Sequence, residues 1–147
     1  MTIELDGGWI YVIMTSSDYN RYKIGRTNGN PMDRVKKLRT GDPGVDLQAA
    51  YFIPASHGKL SQVEAALHRE FEPRISFHDE TVSEWFRGDA KRACEWMEYL
   101  LGEWKGQPVT FGLYLLGEGR ICRAFEDDLR SIYGPFTPAS PIDGLPW

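Results

Sequence analysis

Residues 9–14 read Trp-Ile-Tyr-Val-Ile-Met and residues 22–27 read Tyr-Lys-Ile-Gly-Arg-Thr, two runs of β-branched and aromatic side chains separated by the turn-rich Ser16-Ser17-Asp18-Tyr19-Asn20. Such runs flanking a polar turn predict a β-hairpin. Strand side chains alternate faces, so Tyr11 shares one with Trp9 and Ile13, while Lys23, Gly25 and Thr27 point away from Tyr22, Ile24 and Arg26. Gly25 removes a side chain in mid-strand, which marks either close approach by another backbone or a ligand, or a bulge.

Working outward, Asn28-Gly29 is a turn dipeptide, Asn30 an N-cap and Pro31 a first helical residue, predicting a helix to about Leu38. Met32, Val35 and Leu38 form its inward stripe, Arg34 lies beside them, and Lys36 and Lys37 turn to solvent. A third strand is predicted over 47–53. Leu60, Val63, Leu67 and Phe71 mark a helix over 59–71, with Glu64 and His68 as i, i+4 neighbours on its border. Glu84-Trp85-Phe86 leads into a further helix from about Asp89 to Trp104, and Glu84 is expected to fix its start. Residues 109–116 and 120–125 flank Gly117-Glu118-Gly119 and read as a second hairpin, followed by a helical turn and a tail with Pro135, Pro138, Pro141 and Pro146.

The expected fold is therefore α/β of the α+β kind: a small antiparallel three-stranded sheet flanked by helices, with a C-terminal β-hairpin and a proline-rich tail. Residues 1–104 form the main module. Residues 105–147 form an addition that either straps the module's own apolar surface or docks on a second copy to build a homodimer.

At 147 residues, 41% hydrophobic and 26% charged, the chain has the composition of an ordinary globular domain, which excludes a disordered or collagen-like protein. Cys94 and Cys122 are too few and too far apart for a disulfide framework or a zinc ribbon. The acidic opening MTIELDGG lacks a signal peptide's features and no apolar run is long enough for a membrane span, so a cytoplasmic protein with no membrane partner is expected. Net charge is −4, yet residues 21–39 carry Arg21, Lys23, Arg26, Arg34, Lys36, Lys37 and Arg39 against the single acid Asp33. That local excess predicts an anion-facing patch, or else a solvated basic face without a partner.

Trp9-Ile10-Tyr11, a second strand ending in Ile24-Gly25, Arg34 in the next helix and Glu64 in a later one together resemble the GIY-YIG nuclease superfamily. The segments Lys23-Ile24-Gly25-Arg26-Thr27, Ala66-Leu67-His68 and Glu84-Trp85-Phe86 are most similar to a branch common in phages and prophages. The resemblance covers residues 8 to about 100. It implies hydrolysis of a nucleic-acid phosphodiester, DNA ahead of RNA, with one Mg2+ or Mn2+ ion. By position, Tyr11 matches the first motif's tyrosine, Lys23 stands where the second motif's tyrosine would be, Arg34 matches the helix arginine, Glu64 the metal-binding glutamate and His68 a histidine usual in the branch. The missing second tyrosine, and a late asparagine that cannot be placed, give weight to an alternative: a catalytically inactive nucleic-acid-binding or protein-interaction module.

The chemistry agrees with these residue types. Phosphodiester hydrolysis needs an activated water, neutralisation of an anionic centre and help for the departing oxygen. Magnesium is typically held by one or two carboxylates with waters and substrate phosphate oxygens, so a lone Glu64 suffices once nucleic acid is present. Arg34 would grip the phosphate with its planar fork, and Arg26, Lys36, Lys37 and Arg39 would add nucleic-acid contacts. Tyr11 is the candidate base. A free phenol titrates near about 10, and lowering that by about 3 units takes roughly 4 kcal/mol, for which Lys23 is the natural source of positive field.

Overall fold

The centre of the molecule is a strand that is apolar on both sides. In the computed structural model, which describes residues 5–71, 74–76 and 82–134, strand β1 (Gly7–Thr15) has Trp9 through Ile13 buried without interruption. Unbroken burial of that kind requires a layer on each face of the sheet. Strand β2 (Arg21–Thr27) pairs antiparallel with β1, Tyr11 opposite Gly25 and Ile13 opposite Lys23, as the hairpin reading predicts. Strand β3 (Val45–Pro54) pairs with the other edge of β1, with a register shift at Val12/Ile13.

The sheet is larger than expected. Among the described residues it has seven strands in the order β4-β5-β2-β1-β3-β7-β6, adding β4 (Arg74–Ser76), β5 (Val82–Arg87), β6 (Thr110–Phe111) and β7 (Cys122–Ala124) to the expected three. The segment Glu84-Trp85-Phe86 lies inside β5, and the next helix is instead capped by Asp89, whose carboxylate accepts the Arg92 backbone N–H at 2.9 Å. The expected C-terminal hairpin is also corrected. Strands β6 and β7 pair parallel, and the residues between them are turns with left-handed glycines at 112, 117 and 119, so Gly117-Glu118-Gly119 is not a hairpin tip. All other strand pairings are antiparallel.

Helices cover both faces. Ile10, Val12, Tyr22, Ile24, Tyr51 and Ile53 pack under α2 (Leu60–Glu70) and α3 (Ala90–Lys105), through Val63, Leu67, Ala93, Met97 and Leu101. Trp9, Tyr11, Ile13, Ala50 and Phe52 pack under α1 (Pro31–Arg39) and α4 (Glu126–Tyr133), through Met32, Val35, Leu129 and Ile132. The start of α1 follows the expected rule: Asn30 Oδ1 accepts the Met32 N–H at 3.0 Å with Pro31 in the first turn, a cap worth about 1 kcal/mol.

Residues after 105 share this sheet. Strand β7 pairs with β3, and Trp9 Nε1–H donates to the Tyr133 hydroxyl at 2.9 Å, tying α4 to β1. Glu98 Oε2 accepts both the Tyr51 hydroxyl (2.7 Å) and Arg123 Nη1 (3.0 Å), joining α3, β3 and β7. The proline-rich tail, 135–147, lies outside the described residues. Among the described residues no helix is long and apolar enough to cross a membrane. Cys94 and Cys122 are free and buried.

Candidate functional site

Within β2, only Arg21, Tyr22 and Lys23 pair with β5, so residues 24–27 have β1 on one side and, among the described residues, no strand on the other. Side chains from both faces of the sheet can meet around such an open edge. Alternation sends Ile24 and Arg26 toward α2, and Lys23 and Gly25 toward α1. The close approach expected at Gly25 is made by Tyr11 itself, because a Cβ on residue 25 would overlap the Tyr11 hydroxyl and ring. Tyr11 is only 1% exposed. Lys23, on the same face and diagonal to it, is 7% exposed.

Arg26, Thr27, Asn30, Asp33, Arg34 and Lys37 line a cleft of about 180 Å³. Four of them, at 30, 33, 34 and 37, follow one face of α1, which is why residues from a capping position to the last turn share one opening. Arg34 and Lys37 are exposed there. Arg26 joins this cleft to the other face of the sheet, its Nε–H donating to Glu64 Oε1 on α2 at 3.0 Å.

Glu64 is half-buried, and its second oxygen lies 3.8 Å from His68 Nε2. That nitrogen is 3.1 Å from the carbonyl of Ile24. A carbonyl only accepts, so Nε2 carries the hydrogen and cannot ligate a metal in this arrangement. His68 also packs edge-on against Phe86 and thus docks α2 onto the open edge of β2.

The basic run is less free than its sequence implies. Arg21 faces Asp42 at 3.6 Å and lies over the Trp85 ring, Arg26 holds Glu64, and Arg39 donates to the Val45 carbonyl (2.9 Å) and Asp46 Oδ1 (3.1 Å). Arg21, Arg26 and Arg39 thus meet acids from outside residues 21–39, and Arg39 fastens α1 to the start of β3. Arg34 and Lys37 stand at the cleft, while Lys36 is half-buried beside it. Sequence reasoning missed Thr27, Asn30 and Asp33 as cleft residues; the i, i+3, i+4, i+7 spacing of 30, 33, 34 and 37 was the available signal.

The structure thus brings Arg26, Arg34 and Lys37 to one opening, links Glu64 to it through Arg26, and buries Tyr11 behind Gly25. Among the described residues no group of three or more His, Cys, Asp or Glu could hold a metal. The donor set is one carboxylate, which suits a hard cation that draws its other ligands from water and substrate phosphate rather than a protein cage.

The deep groups are inert by comparison. Burial pushes the Cys94 thiol up to about 12 and raises that of Cys122. A reactive cysteine is therefore absent from the described residues, as burial predicts.

Neither curated proteins nor solved structures provide a match to the chain. A family model, the T5orf172 domain, matches residues 8–101. This corrects the GIY-YIG resemblance: its isolated matches at Tyr11, Ile24-Gly25, Arg34 and Glu64 are short and individually common, whereas the T5orf172 model accounts for the whole stretch and is a different, phage-associated family. The chain belongs to the T5orf172-domain family, in the broad area of nuclease-like and DNA-binding domains.

Proposed function

We propose that this protein is a divalent-metal-dependent endonuclease that hydrolyses nucleic-acid phosphodiester bonds, with DNA as the preferred substrate over RNA. The observation that carries the reading is the Arg26–Glu64 pair at the rim of the Arg34 and Lys37 cleft. A guanidinium that bonds a half-buried carboxylate and also lines the cleft with Arg34 makes a site suited to an anionic centre and its counter-cation.

In this reading Arg34 grips the scissile phosphate bidentately, Arg26 makes a second contact, and Lys36 and Lys37 engage flanking phosphates. Glu64 would hold one Mg2+ or Mn2+ ion. A bound divalent cation supplies neutralisation of the charge that builds on the phosphate and the departing oxygen. Tyr11 accepts the proton of the attacking water, with Lys23 diagonal to it on the same face of the sheet. His68 is a positioning residue that holds α2 against Ile24.

A second reading, a nucleic-acid-binding module without cleavage, is favoured by one observation: the near-complete burial of Tyr11 keeps its hydroxyl from bulk water. Plasmid nicking with Mg2+ or Mn2+, comparing wild type with Glu64→Ala and Arg34→Ala, separates the two. Cleavage lost in Glu64→Ala with DNA binding retained supports the nuclease. Binding without cleavage by the wild type supports the module.

A further inference from the structure

We infer that Arg26 is a substrate-operated gate on Glu64: in the free protein its guanidinium occupies the carboxylate, and a nucleic-acid phosphate entering the cleft draws it away and opens Glu64 to a divalent cation. The gate presupposes that Glu64 is the cation's ligand and adds the order in which substrate and ion are taken up.

Three features support it. First, Arg26 belongs to two places at once, since it donates to Glu64 Oε1 at 3.0 Å and also lines the cleft with Arg34 and Lys37. Second, the partners differ in freedom. The Arg26 side chain is 48% exposed and the Glu64 side chain 19%, so the arginine can swing into the cleft while the glutamate, on α2 between Val63 and Leu67, stays where it is. Third, the pair is weak enough to exchange. A salt bridge exposed on one side gains little from Coulomb attraction in water, whereas a guanidinium forms shorter, bidentate, charge-assisted bonds with phosphate.

The release of Arg26 has a consequence for Glu64. A half-buried carboxylate that loses its counter-ion is left partly desolvated, and a cation is what restores the balance. Phosphate and cation therefore favour each other's binding. Such coupling is reciprocal, and its usual range is about 5- to 150-fold. In the absence of nucleic acid Arg26 competes with the ion, and free metal affinity is low.

The test uses the full chain and calorimetric titration with Mn2+, with and without a short duplex carrying nuclease-resistant phosphorothioate linkages. For the wild type, Mn2+ affinity should rise at least about fivefold when the duplex is bound. Arg26→Gln should bind Mn2+ about fivefold or more tightly than wild type without duplex, and its gain on adding duplex should shrink to under about twofold. Circular dichroism establishes that the variant is folded; if it is not, Arg26→Met, which keeps much of the apolar stem but no charge, is held to the same direction of change. Equal wild-type Mn2+ affinity with and without duplex overturns the gate while leaving Glu64 as a ligand, and so does a folded Arg26 variant whose free affinity matches wild type. Mn2+ binding that survives Glu64→Gln undamaged overturns the metal assignment itself, and the gate with it.

Discussion

The Tyr11 phenol fills the space that a side chain on Gly25 would take, the two residues facing each other across the β1–β2 pairing. Gly25 does not have the left-handed backbone that calls for glycine. Its lack of a Cβ makes room for the ring. Gly25→Ala should therefore act by overpacking and cost about 1–3 kcal/mol. Because the nearest atoms to such a Cβ all belong to Tyr11, the double variant Gly25→Ala/Tyr11→Ala should be more stable than the sum of the two single losses by about 0.5–3 kcal/mol. Urea midpoints for the four proteins in this cycle measure it. Simple additivity would mean that the ring is not what Gly25 accommodates.

Arg39 and Arg34 belong to the same basic run but should behave oppositely. Arg39→Ala removes the bonds to Val45 and Asp46 and should lower stability by about 1 kcal/mol, with little change in nucleic-acid affinity. Arg34→Ala should reduce the slope of log affinity against log salt by about 0.9, the signature of one lost phosphate contact. Salt-dependent fluorescence anisotropy with a labelled duplex checks both. Identical slopes for the two variants would argue against the cleft.

Acid sensitivity should trace to Asp42. The Thr15 hydroxyl at 2.6 Å, aided by Ser17, the Gly44 N–H and Arg21, holds its carboxyl below the ordinary value of 3.8. A carboxyl depressed on folding stabilises the protein above that ordinary value, and the contribution is lost as pH falls through the lower folded value. Asp42→Asn should lower the melting temperature at pH 6 and flatten the acid limb of stability below about pH 4. An acid limb as steep in Asp42→Asn as in wild type would assign the effect elsewhere.

At the alkaline end the sign reverses. Burial pushes the Cys94 thiol up to about 12 from 9.0 and also raises the Tyr51 phenol, whose hydroxyl is committed to Glu98. Unfolding frees both to ionise near their ordinary values, so their contribution is intact below about pH 9 and is lost as pH rises toward 12. Urea midpoints should fall progressively above pH 9, less steeply in Cys94→Ala. In the native protein at pH 8, iodoacetamide should leave Cys94 unmodified; rapid alkylation without unfolding would contradict its burial.

What could be read in advance was local. Asn30 and Pro31 announce the start of α1 because the cap and the fixed φ act within one turn, and Val63 and Leu67 announce the inner face of α2 by their spacing. The hairpin of β1 and β2 is legible because its turn is short. By contrast, Gly117-Glu118-Gly119 satisfies every local rule for a hairpin, and yet β7 crosses to pair with β3, about seventy residues earlier, as its antiparallel neighbour. Trp85 and Phe86 have strand-forming side chains, but pairing with β2 at 21–23 and with β4 decides that they form β5 rather than the approach to a helix.

The candidate site divides in the same way. By itself the amino-acid order determined the residue types, the alternation that separates Arg26 from Gly25, and the excess of positive charge, since these depend on neighbours a few positions apart. Only the tertiary structure decided that Arg39 and Arg21 are tied to acids, that Arg26 holds Glu64 from thirty-eight positions away, and that Tyr11 is the occupant of Gly25's vacancy. The physical reason is that an ion pair or a buried contact is chosen by which groups the packed layers bring within about 4 Å, and distance along the chain carries no information about that.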